Sequence, residues 1–421
     1  VAAPGRARQD WTTWSDEDTT RSVETTFLDG GRVVQRADAH SPWIALAGRE
    51  AHEAAATIWS SVPALMAARA AAANGRGLGG AAVSPFQSTF SWPESLGRAV
   101  LDLGALDEPT VLDLTREDPW RGTLSQATRY FDDTTAAGRA WPGHLLNEGY
   151  PADVAWRSDE RRIALEEPVA LATLALPDSV RAPAPAPRDT TPRVARLARG
   201  VWSVELPDAD TRSLVLEFAD HLVVLETSTD VPHGERLRAA IRARLPGKRI
   251  RYVLFGHHHP AYTGGLRAFM ADSATVVCAG SNAAYVREIA MWHFTQSPDR
   301  LTRLAPAGFR PRVDTLAAGR WRHADATNEL VAIDVGPRSQ HTDAYLVFWL
   351  PRARLLFEGD LGWFTSDGTL RASRRAAGLL AGIDEAGIRP LTVVQGWPVN
   401  GNAASLTLAR LRALAATRDK P

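Results

Sequence analysis

Three consecutive histidines, His257, His258 and His259, end the apolar run R-Y-V-L-F-G and stand just before P-A-Y-T-G-G. The chain has only 11 histidines, so imidazole is concentrated at one place. Neutral imidazole is a zinc ligand, at about 2.0–2.1 Å per Zn–N bond. Residues i and i+2 leaving a strand project to one side. His257 and His259 can therefore meet one cation, while His258 points away. Two ligands do not close a site, so a third must arrive from elsewhere in the fold. Three histidines with an open fourth position would lower the pKa of a bound water to about 7 and supply a nucleophile. The plain alternative is a histidine-rich surface loop.

The elements that must position these residues lie in the second half. G-V-W-S-V-E-L alternates as a strand, and S-L-V-L-E-F-A-D-H-L-V-V-L-E predicts two strands joined at Ala219–Asp220–His221. Residues 234–243 predict a short amphipathic helix, and R-I-R-Y-V-L-F a buried strand ending at the histidines. L-R-A-F-M-A then predicts a helix and A-T-V-V-C-A a strand. E-L-V-A-I-D-V, A-Y-L-V-F-W-L-P and A-R-L-L-F-E-G-D follow as strands. Strands interleaved with helices, with polar residues at strand ends, fit an α/β layered sandwich.

At 421 residues two domains are expected. The stretch R-A-P-A-P-A-P-R-D-T-T-P, residues 181–192, is an extended spacer. It separates residues 1–180 from residues 193–421. The first part predicts an α+β domain with a substantial antiparallel sheet. Residues 48–73 are Ala-rich and helix-favouring, with Pro63 as a break, and strands are expected around Val111, Tyr130 and Trp156. His52 and His144 are isolated there. In the second part His221, His233, His293 and His323 lack spacing partners and are expected to be structural or exposed.

Forty-eight basic residues balance forty-eight acidic ones, so no global field draws in nucleic acid. No run reaches the roughly 18 apolar residues of a membrane span. The opening V-A-A-P-G has no initiator Met, as after signal-peptide removal or trimming. A periplasmic or secreted location is the expectation, with a cytoplasmic one as the alternative. The single Cys278 excludes an internal disulfide and is expected to be a buried, inert thiol.

The histidine stretch resembles the H-x-H-x-D-H-x-G-G loop of the metallo-β-lactamase superfamily. Q-H-T-D-A-Y-L-V-F-W-L-P-R-A-R-L-L-F-E-G-D-L resembles that superfamily's next block. The resemblance covers about residues 197–420 and implies an αββα sandwich with a metal-dependent hydrolase site. By it, His257, His259 and His341 are the ligands of one zinc, and Asp360 is the carboxylate that usually bridges two metals. The loop's aspartate falls at Ala261 and its next histidine at Tyr262. The last family histidine falls at Gln395, and none follows His341. The resemblance thus implies at most one zinc, acting on an ester, thioester, amide or lactam of a small molecule.

Several roles stay open. Asp360 either orients a water, acts as general base or closes the zinc tetrahedron. Tyr262 either donates a proton or fills the space of an absent imidazole. Gln395 is expected to hydrogen-bond Asp360 and, with Trp363 and Trp397, to line the substrate site; Trp363, Phe364 and Trp397 are either pocket walls or core. A catalytically inactive binding protein and a non-hydrolytic lyase or isomerase using Tyr262 and Asp360 are the competing functions. The N-terminal domain is expected to be a cap or dimer surface, its F-D-D-T faintly resembling β-rich domains fused to exported bacterial hydrolases. A homo-oligomer is compatible with that arrangement.

Overall fold

The computed structural model describes residues 189–416, apart from 296, 306, 307, 368 and 372, together with strands and a few adjoining positions of residues 6–161. The chain divides into two compact units. One comprises residues 1–118 and 123–187, the other residues 119–122 and 188–421.

In the first unit the described strands form two antiparallel sheets. Four strands pair in sequence order: β1 (Arg6–Trp14), β2 (Arg21–Asp29), β3 (Arg32–Arg36) and β4 (Ile44–Leu46). Seven form the other sheet: β5 (Ala82–Ser84), β6 (Gln87–Ser91), β7 (Arg98–Leu103), β8 (Pro109–Asp118), β9 (Gly122–Ala136), β10 (Arg139–Tyr150) and β11 (Arg157–Arg161). The segments expected around Val111 and Tyr130 are β8 and β9. Trp156 lies outside the described residues, as does the Ala-rich stretch 48–73 but for helical positions 51 and 54.

The second unit is a four-layer αββα sandwich. Its first sheet is β12 (Arg193–Ala198), β13 (Val201–Leu206), β14 (Thr211–Glu217), β15 (His221–Leu225), β16 (Arg249–Leu254), β17 (Thr275–Cys278) and β18 (Arg312–Thr315), paired in that order. Its second is β19 (Arg320–Ala324), β20 (Glu329–Asp334), β21 (Leu346–Leu350), β22 (Leu355–Glu358), β23 (Thr392–Gln395) and β24 (Ser405–Thr407). Helices α1 (Val231–Arg244), α2 (Pro260–Thr263), α3 (Leu266–Met270), α4 (Ala283–Met291) and α5 (Arg300–Leu304) follow strands of the first sheet. Helices α6 (Ser373–Glu385) and α7 (Leu408–Ala416) follow strands of the second.

Period-two alternation explains the layers. Leu214, Leu216, Val223 and Leu225 point inward and meet Leu330, Phe348 and Phe357 of the opposite sheet. Val215, Leu222 and Val224 point outward onto Leu237, Ile241 and Phe269 of the helices. On the far side Val347, Leu356 and Val393 pack on Ala376, Leu379 and Leu411. A fully buried Leu is worth about 1.5–3 kcal/mol, so these three cores are the main favourable contribution to the frame. Helix α1 starts three residues before the predicted 234. Asp230 accepts a hydrogen bond from the His233 backbone N–H at 2.8 Å, and a proline sits in the first turn. Cys278 is free and buried, and burial pushes its thiol up to about 12. Among the described residues no helix is long and apolar enough to cross a membrane.

Candidate metal centre

Strand direction brings five segments to one edge of the sandwich. β15 and β16 are parallel, so the segments after Leu225 and Leu254 leave the first sheet together. In the second sheet β21 is antiparallel to β22, which is parallel to β23. The entry to β21 and the exits of β22 and β23 therefore share an edge. Four of them carry His257, His341, Asp360 and Gln395, and the fifth is residues 226–230. The two sheets are stitched there by the Leu346 N–H donating to the Gly256 carbonyl at 2.8 Å.

The histidine loop is clasped by residues 226–230. Both carboxyl oxygens of Glu226 accept from the Gly256 N–H, at 3.0 and 3.1 Å. The Thr227 hydroxyl donates to the Tyr262 carbonyl at 2.7 Å. The Gly-Gly pair is required by this clasp. A Cβ on Gly264 would lie 2.0 Å from the Thr229 carbonyl oxygen, and one on Gly265 2.0 Å from that of Thr227. Glu226 and Ser228 hold φ of 65° and 74°, a left-handed backbone that costs each about 1–2 kcal/mol.

At the edge, His257 Nε2 and His341 Nε2 stand 3.1 Å apart, and His341 Nε2 is 3.6 Å from Asp360 Oδ2. His257, His341 and Asp360 all present ligand atoms within 4.8 Å of one another. A tetrahedral zinc with bonds near 2.05 Å has ligand–ligand edges of about 3.3 Å. The observed separations bracket that edge, and the donor set, two imidazoles and a carboxylate, suits zinc. His257 is buried, and burial together with the facing His341 pushes it down to about 2. It is therefore a neutral ligand across the physiological range. Its Nδ1 is buried without a hydrogen-bond partner.

A family model described as the metallo-β-lactamase superfamily matches residues 207–415. This part of the chain belongs to that superfamily. A metallo-β-lactamase, FIM-1 from Pseudomonas aeruginosa, crystallised in a mono-zinc form, is 16% identical over 56% of this chain and 99% of its own, with a TM-score of 0.41. A metallo-β-lactamase from Pontibacter korlensis is 16% identical over 55% of this chain and 100% of its own, with a TM-score of 0.40. The DIM-1 metallo-β-lactamase gives 17% identity over 54% and 98%, with a TM-score of 0.37. No curated protein matches.

Within the superfamily domain the other predicted site residues are placed as follows. His259 stands outside the His257–His341–Asp360 group. Its Nδ1 accepts from the Ala261 N–H at 3.3 Å, capping α2, and its ring lies 5.6 Å from that of Trp397. Ala261 is buried. Tyr262 is 1% exposed and its hydroxyl has no partner. Burial, reinforced by Asp360, raises its pKa well above the phenol range. The Gln395 amide is spent on backbone. Its oxygen accepts from the Phe364 N–H at 2.8 Å and its nitrogen donates to the Pro398 carbonyl at 2.5 Å, so it does not reach for Asp360. Trp363 and Trp397 pack against each other with centroids 5.4 Å apart, while Phe364 is fully buried core.

Four participants were not legible. Arg375, in the first turn of α6, donates to Asp360 Oδ2 at 3.1 Å. Tyr345 donates to Asp360 Oδ1 at 2.8 Å and accepts from the Asp360 N–H at 2.8 Å. Glu358 is fully buried, and burial next to Asp360 pushes its carboxyl up to about 8. Glu226 is also held well above the usual carboxylate range by burial, against the lowering effect of the Gly256 N–H and with Asp360 adding to the rise. A carboxylate forced to face buried acids was one available signal, in F-E-G-D, because alternation sends Glu358 and Asp360 to the same side.

Proposed function

We propose that the second unit is a hydrolase holding one zinc between His257, His341 and Asp360, acting on an ester, thioester, amide or lactam of a small molecule. The observation that carries this reading is the pair of separations, 3.1 and 3.6 Å, matching the edges of a zinc tetrahedron. When bound, the ion supplies Lewis acidity toward a water or carbonyl group. Asp360 is fixed by Tyr345 on one oxygen and Arg375 on the other, so its orientation is set before any substrate arrives. His259 and Trp397 stand at the rim beside it. Tyr262, which keeps its proton, is a donor aimed into the same cluster.

Ala261, Tyr262 and Gln395 occupy the positions that the superfamily uses for a second metal, and none offers a ligand atom of comparable strength. The centre is mononuclear on this reading. The site would lack the loop carboxylate that the superfamily motif places at position 261, where this chain has Ala261.

One observation favours a second reading. The Arg375–Asp360 contact places a cation on the carboxylate already, as expected of a metal-free binding protein or of a lyase using Tyr262 and Asp360. Metal content of the protein purified without added zinc separates the two. About one zinc per chain, lost in His341→Ala with the fold retained, supports the hydrolase. No zinc, with small-molecule binding retained after chelation, or a non-hydrolytic turnover that survives chelation and is abolished in Tyr262→Phe, supports the other.

A further inference from the structure

A second imidazole pair lies away from the candidate centre. His221 opens β15 in the first sheet, and His323 lies in β19 at the edge of the second. Their Nε2 atoms are 2.9 Å apart, although 102 positions separate them in sequence. His221 Nδ1 is 2.6 Å from Asp220 Oδ1. A carboxylate only accepts, so the proton sits on Nδ1 and the lone pair of His221 is on Nε2, aimed at His323. Carboxylate, imidazole and open lone pair in this order are how proteins orient a metal-binding histidine. The His221 ring is further fixed by stacking on Phe218, with centroids 5.1 Å apart and planes within 5°. His323 stacks on Trp321 at 5.5 Å and 19°.

We propose that His221 and His323 form a second transition-metal site, taking Cu2+ or Zn2+ between their two Nε2 atoms, with Asp220 orienting His221 and water completing the coordination. The 2.9 Å separation needs to widen by about 0.4 Å to reach a tetrahedral edge of about 3.3 Å. In the metal-free pair the His323 Nε2–H donates to His221 Nε2. Metal binding moves that proton to His323 Nδ1, with no net proton released. Local charge favours a cation: Asp220 and Asp325 act on the pair against the single Arg251. Burial and the facing His221 lower the His323 pKa, which keeps its imidazole neutral and able to ligate. Because the two histidines come from different sheets, the ion would also clamp the sandwich at this edge.

The test uses the full chain, stripped with chelator and titrated with Cu2+ alone, since imidazole sites bind it most tightly of the first-row divalent ions. The parent protein is expected to bind one more equivalent than His323→Ala, with two nitrogen donors in its electron paramagnetic resonance spectrum. Asp220→Asn, a change at a largely exposed carboxylate, is expected to weaken that equivalent about 10- to 100-fold. His341→Ala is expected to leave it in place. Equal stoichiometry and affinity in the parent and a folded His323→Ala protein overturn the proposal, as does loss of this equivalent in His341→Ala. Should His323→Ala fail to fold, an affinity unchanged in Asp220→Asn overturns it.

Discussion

Two imidazole pairs, each drawn from both sheets, face each other Nε2 to Nε2 at nearly equal separations, 3.1 Å for His257–His341 and 2.9 Å for His221–His323. Their surroundings are opposite. His257 has a buried, unpartnered Nδ1 and a carboxylate, Asp360, on the ligand side. His221 has its carboxylate, Asp220, on the far nitrogen. The first pair is set among buried acids, phenols and a guanidinium; the second is set among aromatic rings near the surface. A ligand-side carboxylate adds a donor, whereas a carboxylate behind the ring fixes a tautomer. The two pairs therefore separate donor number from donor orientation.

The comparison breaks most visibly at the two aspartates. Asp360→Ala strips partners from Tyr345 and Arg375 inside the fold, and should cost about 3–5 kcal/mol in denaturant unfolding. A shift below 1 kcal/mol would mean that Asp360 is not integral to the frame. Acid provides the next largest contrast. The unfolded chain protonates His257 near pH 6.5, while the folded one resists until about pH 2. This group therefore costs nothing above pH 6.5, and its contribution turns unfavourable as pH falls below it, by about 1.4 kcal/mol per pH unit. His257→Gln should flatten that slope in unfolding midpoints collected between pH 4.5 and 6.5.

Glu358 acts in the opposite sense. Its raised value means that stability is fully present below about pH 4.5 and is lost as pH climbs toward 8. Glu358→Gln should remove a decline in unfolding midpoint between pH 6.5 and 8, where His257 no longer titrates. At the second pair Trp321→Ala removes the ring stacked on His323 and should cost about 1 kcal/mol, read as a Tm decrease. Asp220→Asn alters an exposed carboxylate and should leave the unfolding midpoint unchanged without metal. A lowered midpoint would show that Asp220 stabilises the fold rather than a tautomer.

Much of the frame around the first pair was legible because it is written locally. Apolar runs ending in H-H-H and in F-E-G-D mark strand ends, and L-P followed by Arg354 in a left-handed backbone gives the expected turn between β21 and β22. What could not be read depends on contacts between distant segments. Arg375 belongs to a helix whose sequence, S-R-R-A-A-G-L-L, has nothing to distinguish one arginine from the next. Both were equally plausible solvent-facing residues until α6 was docked. Gln395 was expected at Asp360, but the backbone of Phe364 and Pro398 claims both ends of its amide first. His221 and His323 appeared isolated because spacing arguments see neighbours in sequence, and their meeting needs the two sheets stacked in register. His259 shares the i, i+2 spacing with His257. Proline at 260 starts a helical turn, however, and the imidazole is used to cap it.

The clasp between residues 226–230 and the Gly-Gly turn is made of backbone, one glutamate and one threonine, with no histidine in it. Gly234 extends the same contact, since a Cβ there would fall 2.5 Å from the Gly265 Cα. The platform that presents the imidazoles is thus mechanically independent of whatever they hold. Such a chassis can exchange one donor after another over evolutionary time without melting, and it leaves room for an engineer to write new ligands at 261 and 262 onto a rigid base.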